Sequence, residues 1–235
     1  CTALATDVDG GSASQSVSVE IINTAPVFDV SASISPNSGV YTNTALSCSA
    51  TVTDPDDGPL IPNYEWLNGS VSLGAGSTYV VSAVDTDVGD SITCIATATD
   101  SDGEVSTSSS NVVVENTEPV LNGPTLNPTV VYNDDVLTCS ASVSDPDEAV
   151  TLDYEWLVAS IPVGNSVSLD LATTSALPMD TVECVVSATD GAGATVSGAV
   201  SMTIDNRPPS TPSLSMSPSS PLAGQDDLVC SIDVD

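Results

Sequence analysis

Histidine and lysine are absent from this sequence, and one arginine, Arg207, faces 32 aspartates and glutamates, for a formal net charge of −31. Nucleic-acid binding draws on Lys and Arg contacts to phosphate, so a polyanion of this kind is a poor candidate for DNA or RNA. The missing residues are also the usual general bases, nucleophile activators and Schiff-base formers, which leaves only carboxylate chemistry or a bound metal for an enzyme. Catalysis is not expected. Aromatic residues make up 3% of the chain, so any core must be built mostly from Val, Ala and Leu. No run approaches the roughly 18 to 20 apolar residues of a membrane span, and the start carries no n-region and h-region of a signal peptide. Any export signal or anchor is therefore expected outside these 235 residues. High acidity with few aromatics can mark disorder, yet 40% of the residues are apolar and fall in alternating Val/Ile/Leu/Ala segments, the pattern of a folded chain.

What is present is repetition. The stretches "NTAPV" at 23, "NTEPV" at 116 and "NRPPS" at 206 are spaced 93 and 90 residues apart. Between them the text recurs: "LSCSATVTDPDDG", "YEWLNG" and "SITCIATATDSDG", then "LTCSASVSDPDEA", "YEWLVA" and "TVECVVSATDGAG". The opening "CTALATDVDGG" matches the text at Cys94 and Cys184, and the closing "LVCSIDVD" matches the text at Cys48 and Cys139. This alignment favours a structural Cys1 over the lipidated terminus of a lipoprotein. The expected organisation is residues 1–22 as the C-terminal half of one unit, 23–115 and 116–205 as complete units, and 206–235 as the N-terminal half of another. On that reading Cys1 and Cys230 have partners outside these residues, as in a window on a longer repetitive polypeptide. The alternative is a protomer whose two halves complement those of its neighbours.

Within a unit the period is two. Leu46, Cys48, Ala50 and Val52 share one face of a strand while Ser47, Ser49 and Thr51 share the other, and Ile92, Cys94, Ala96 and Ala98 repeat the pattern. Short strands parted by Asp/Pro/Gly turns, with no helical period, predict an all-β unit, an antiparallel sandwich of about 90 residues. Cys48 and Cys94 lie 46 apart around Trp66, and Cys139 and Cys184 lie 45 apart around Trp156. Without a CxxC pair or a histidine the cysteines do not read as a zinc site, and their strand positions suit bridges, which imply an oxidising compartment. The Cys…Trp…Cys spacing is that of an immunoglobulin-like sandwich, in which an inter-sheet disulfide packs on a buried tryptophan.

These units resemble the tandem immunoglobulin-like, PKD- and cadherin-like repeats of large bacterial surface adhesins and extracellular fibres. The resemblance implies bridges Cys48–Cys94 and Cys139–Cys184 and a rod of stacked sandwiches outside a cell, with neighbouring repeats or copies of itself as partners. The tyrosine of the tyrosine-corner variant is replaced by Ile92 and Val182. The acids gather in turns: Asp54, Asp56 and Asp57, then Asp145, Asp147 and Glu148, then Asp100, Asp102 and Glu104, with Asp190 as a thinner counterpart. In an immunoglobulin-like sandwich these loops share one end, where the incoming linker would add Glu115, Asn116 and Glu118 to the second unit. Clustered oxygens of this kind are what Ca²⁺ coordinates, with six to eight ligands. In cadherin-like rods such junctions stiffen on binding calcium. Asp-Pro-Asp and Asp-Gly are equally ordinary turn sequences that need no metal.

Asn68-Gly69-Ser70 is the one glycosylation sequon with a permitted middle residue, and "STSSS" at 106 lies on a Ser/Thr-rich face that O-glycans or plain solvation would suit. Asp85 and Asp87 show no sign of the cleft that glycoside hydrolysis needs. Arg207 is expected to cap the linker or pair with Asp205. Prolines at 26, 119 and 208 restrict the linkers, and a lone Arg before proline leaves trypsin-like proteases almost nothing to cut. Two functions follow from these features: a disulfide-stapled structural repeat of an extracellular filament or surface rod, or an adhesin segment that binds a glycan or a host protein through Tyr41, Tyr79 and Tyr132.

Overall fold

The computed structural model describes residues 1–234 and is almost entirely β, with one short 3₁₀ turn at Leu171–Thr173 and no α-helix among the described residues. It falls into two compact units. The first holds Cys1–Thr117 together with Pro146–Glu148, and the second holds Glu118–Asp145 and the chain from Ala149 onward.

The first unit opens with an antiparallel hairpin of β1 (Thr2–Thr6) and β2 (Ser12–Ser16). Its sandwich has one sheet of β3 (Val27–Ser35), β4 (Ala45–Asp54), β5 (Gly58–Leu60) and β8 (Thr78–Val80). The facing sheet has the order β10 (Val105–Val113), β9 (Ser91–Thr99), β6 (Asn63–Asn68), β7 (Val71–Ala75). The second unit repeats the plan: β11 (Val120–Asn127), β12 (Val136–Ser144) and β15 (Ser168–Asp170) form one sheet. β14 (Ile161–Gly164), β13 (Asp153–Val158), β16 (Thr181–Thr189) and β17 (Thr195–Thr203) form the other, and a hairpin of β18 (Ser213–Ser217) and β19 (Val229–Val234) follows.

The alternation read along β4 and β9 places Leu46, Cys48, Val52, Ile92, Cys94, Ala96 and Ala98 in the interior. In each sandwich the tryptophan stands directly opposite the second cysteine, Trp66 against Cys94 and Trp156 against Cys184. Both indoles are fully buried, and each donates its ring N–H to a carbonyl, Gly76 at 2.9 Å and Ser166 at 2.7 Å. A buried indole needs such a partner, because an unpaired N–H in the core costs about 1–3 kcal/mol. The bridges Cys48–Cys94 and Cys139–Cys184 tie one sheet to the other, with Cα atoms 6.5 Å apart in both. Tyr64 adds a second tie across the first sandwich, its hydroxyl accepting the Ala50 N–H at 2.9 Å. Cys1 and Cys230 are free and exposed.

The "STSSS" face departs from expectation. Ser106 donates to the Pro26 carbonyl at 2.6 Å and Ser108 accepts the Ala32 N–H at 3.0 Å, so alternate hydroxyls of β10 hold the incoming strand β3. Only the intervening Thr107 and Ser109 face solvent. In the second sandwich the corresponding strand carries Gly198, where a Cβ would come within 3.0 Å of the Pro124 ring.

Candidate functional site

The acidic loops of the first sandwich are built from turns that face one another. Asp54 ends β4, and Pro55 fixes its own φ, turning the chain so that the Asp56 and Asp57 N–H groups reach Asp54 Oδ1 at 2.7 and 2.9 Å. Asp100 follows β9, and its Oδ1 accepts the Glu104 N–H at 2.8 Å across a turn in which Gly103 takes a φ of 95°. Asp57 joins the two loops by accepting both the N–H and the hydroxyl of Ser101, at 2.8 and 3.0 Å.

The linker docks on the same end. Asn23 donates its side-chain amide to Asp100 Oδ2 at 2.8 Å, and the Thr24 N–H reaches Asp56 Oδ2 at 2.8 Å. The Asn23 amide holds the Asp100 carboxyl below the usual carboxylate range, aided by backbone N–H groups of Glu104, Gly103 and Asp102 and opposed by burial. Beside these groups lies an open cavity of about 400 Å³ lined by Glu20, Ile21, Ile22, Asn23, Asp56 and Asp102. At the next linker the Thr117 N–H donates to Asp147 Oδ2 at 2.6 Å, repeating the Thr24 contact. Asp190 is buried and accepts the Ala194 N–H at 2.7 Å, repeating the Asp100 turn.

Glu115 is engaged within the first sandwich. Its backbone N–H bonds the Val40 carbonyl and its carboxylate accepts the Gly39 N–H at 2.8 Å, placing it at the β3–β4 loop of the first sandwich. There it raises the Tyr41 phenol above its ordinary value, through its charge first and a hydrogen bond second. Asn116, Asp145 and Glu148 have partners of their own.

The donor set does not fit calcium well. Ca²⁺ requires six to eight oxygens at 2.3–2.6 Å, whereas Asp54, Asp56, Asp57 and Asp100 already present oxygens to N–H or O–H donors. Among the described residues no three acidic side chains stand close enough to hold a metal ion together. Three carboxylate oxygens of these loops are exceptions, Asp54 Oδ2, Asp145 Oδ2 and Asp147 Oδ1, each buried and accepting no hydrogen bond.

Other candidate residues are also committed. The Asn68 amide, the atom a glycan would occupy, donates to Asp90 Oδ2 at 2.6 Å and to the Asp85 carbonyl at 3.2 Å. Arg207 bonds Asp134 and Asp135, not Asp205, and lies 4.4 Å over the Tyr132 ring. Tyr79 packs against Trp66 with ring centroids 5.9 Å apart, so it belongs to the core. Tyr41 alone of the three tyrosines reaches 40% exposure. No helix among the described residues is long and apolar enough to cross a membrane. The linker donors Asn23 and Thr24 were not singled out from sequence; the recurrence of Asn-Thr at 23 and 116 is the signal that marks them.

No family model matches the chain. It is similar to chitinase A of Pseudoalteromonas piscicida, 31% identical over 180 residues, which is 74% of the chain. The chain spans about a fifth of the length of that relative, 21%. Among solved structures it is similar to the fibronectin(III)-like modules of Clostridium thermocellum CbhA, 21% identical, covering 77% of this chain and 94% of that one with a TM-score of 0.29. It is also similar to a Ca²⁺-stabilised adhesin with which an Antarctic bacterium binds ice, 16% identical, covering 87% and 55% with a TM-score of 0.29. At these scores the likenesses add nothing to the sandwich fold already read from the strands.

Proposed function

We propose that this stretch is a non-catalytic spacer: tandem immunoglobulin-like sandwiches, stapled by disulfides, that hold other parts of an exported protein apart. The observation that carries the reading is the repeated construction, in which the same bridge, buried tryptophan and linker-to-aspartate hydrogen bond recur in both sandwiches. An oxidising, extracellular or cell-surface setting follows from the bridges. The relationship to a chitinase fits a module carried within a larger carbohydrate-active or surface-bound protein, whose catalysis lies in other segments.

Direct glycan recognition by these sandwiches is the weaker reading. Recognition surfaces draw their energy from Trp, Tyr and Arg, and here both tryptophans are buried and the one arginine is engaged by Asp134, Asp135 and Tyr132. The 235-residue chain, applied to a glycan array and to insoluble chitin, is expected to bind neither. Reproducible, saturable binding to either would overturn the spacer reading in favour of adhesion.

A further inference from the structure

At the head of the first sandwich a carboxylate-rich end meets a linker that sets two N–H donors against its aspartates. Asn23 supplies an amide to Asp100 and Thr24 supplies its backbone N–H to Asp56, while the loops beneath are joined by Ser101 on Asp57. We propose that the linker's own amides lock this junction in place of a metal ion, with Asn23 as the positioning residue. The inference rests on the spacer reading and says how one of its joints is held.

The chemistry follows from hydrogen-bond polarity. A carboxylate oxygen bound to a cation must be shared with it, and an Asn coordinating a cation would turn its carbonyl oxygen inward. Here the Asp100 carboxylate faces the side-chain nitrogen of Asn23, because two acceptors do not bond one another. The contact spans 77 residues of sequence, so it fixes the linker to the β9–β10 loop and not merely to its own turn. Thr24, one residue on, is pinned 32 residues away to the β4–β5 loop. Two neighbouring residues thus hold two different loops. The chain turns next into β3, whose edge the Ser106 and Ser108 hydroxyls receive. The amides neutralise no charge, but each supplies a charge-assisted hydrogen bond, the stronger kind.

Hydrogen exchange on the intact chain tests this. In the wild type the Thr24 amide should be protected equally in EDTA and in millimolar calcium. Asn23→Ala should lower its protection roughly five- to tenfold, the scale of one net hydrogen bond, while amides in the centres of β4 and β9 keep theirs. Asn23→Asp should release Thr24 at least as far in EDTA, because it sets a carboxylate against Asp100. Protection that appears only with calcium, or that survives both substitutions in EDTA, would overturn the proposal. Failure of the spacer reading would be seen separately, as glycan binding by a chain whose Thr24 remains protected.

Discussion

Replacing both halves of one bridge, Cys48→Ala with Cys94→Ala, is the perturbation whose size the structure sets most directly. The bridge closes 46 residues of sequence, and the chain-entropy relation for a loop of that length gives about 4 kcal/mol at 25 °C. A domain of this size is held by only about 5–14 kcal/mol in total. The aromatic content of 3% leaves few large side chains to compensate. Both sulfurs sit in the interior next to Trp66, so the substitutions also thin the packing around the indole. At about 4–8 °C per kcal/mol for a domain of this length, the first sandwich should melt roughly 15–30 °C lower. Guanidinium denaturation of the full chain, read by hydrogen-exchange mass spectrometry on peptides from β4, β6 and β9, would isolate that sandwich. The matching pair Cys139→Ala with Cys184→Ala closes 45 residues and should cost the second sandwich the same amount. A loss below about 1 kcal/mol in either would refute the staple as a main support of the fold.

Met179 adopts a φ of 76° where the first sandwich has Gly89 at 91°, and both N–H groups bond a carbonyl at the end of the last strand, Ile204 at 2.8 Å and Val114 at 2.9 Å. Met179→Gly should therefore stabilise the second sandwich by about 1 kcal/mol in thermal melts, since the left-handed region costs a side chain about 1–2 kcal/mol. Gly198→Ala should destabilise it by about 1–3 kcal/mol, because the new methyl meets a rigid proline ring; an unchanged melting curve would refute the close approach. Spectrophotometric titration of Tyr41 should show its phenol ionising above the ordinary value, with the Glu115 contact intact at neutral pH and lost as the pH rises through that midpoint. Glu115→Gln should bring the midpoint back down, and an unmoved midpoint would show that Glu115 is not the cause.

The parts of the fold legible in the sequence are those governed by periodicity and by contacts between like positions. Period two in the cysteine strands was enough to assign the inner faces of β4 and β9, and the recurring Cys…Trp…Cys spacing marked the cross-sheet bridge and the buried indole. The site was less legible, because a run of aspartates shows how many acceptors a loop has but not which donors will reach them. Asp54 is answered by its own turn, Asp57 by a residue 44 positions away and Asp100 by one 77 away. Arg207 illustrates the same gap: Asp205 is near in sequence, but the linker carries the guanidinium to Asp134, Asp135 and the Tyr132 ring. The serines of "STSSS" were assigned to solvent from their polarity, whereas two of them serve as strand partners, a role visible only once β3 is in place.

The bridge between β4 and β9 also sets how far a sandwich can lengthen under tension. If force were applied through the linkers and the sheets came apart, the segment between Cys48 and Cys94 would stay looped behind a covalent bond while only the flanking strands straightened. About half of a repeat would be withheld, so each broken sandwich would extend by no more than roughly 160 Å at about 3.4 Å per residue, in place of about twice that. The core strands that carry Trp66 would remain tethered side by side, ready to close again when the load falls. A string of such modules would act as a series of short, recoverable extensions, with reduction of the disulfides as the condition that doubles its reach.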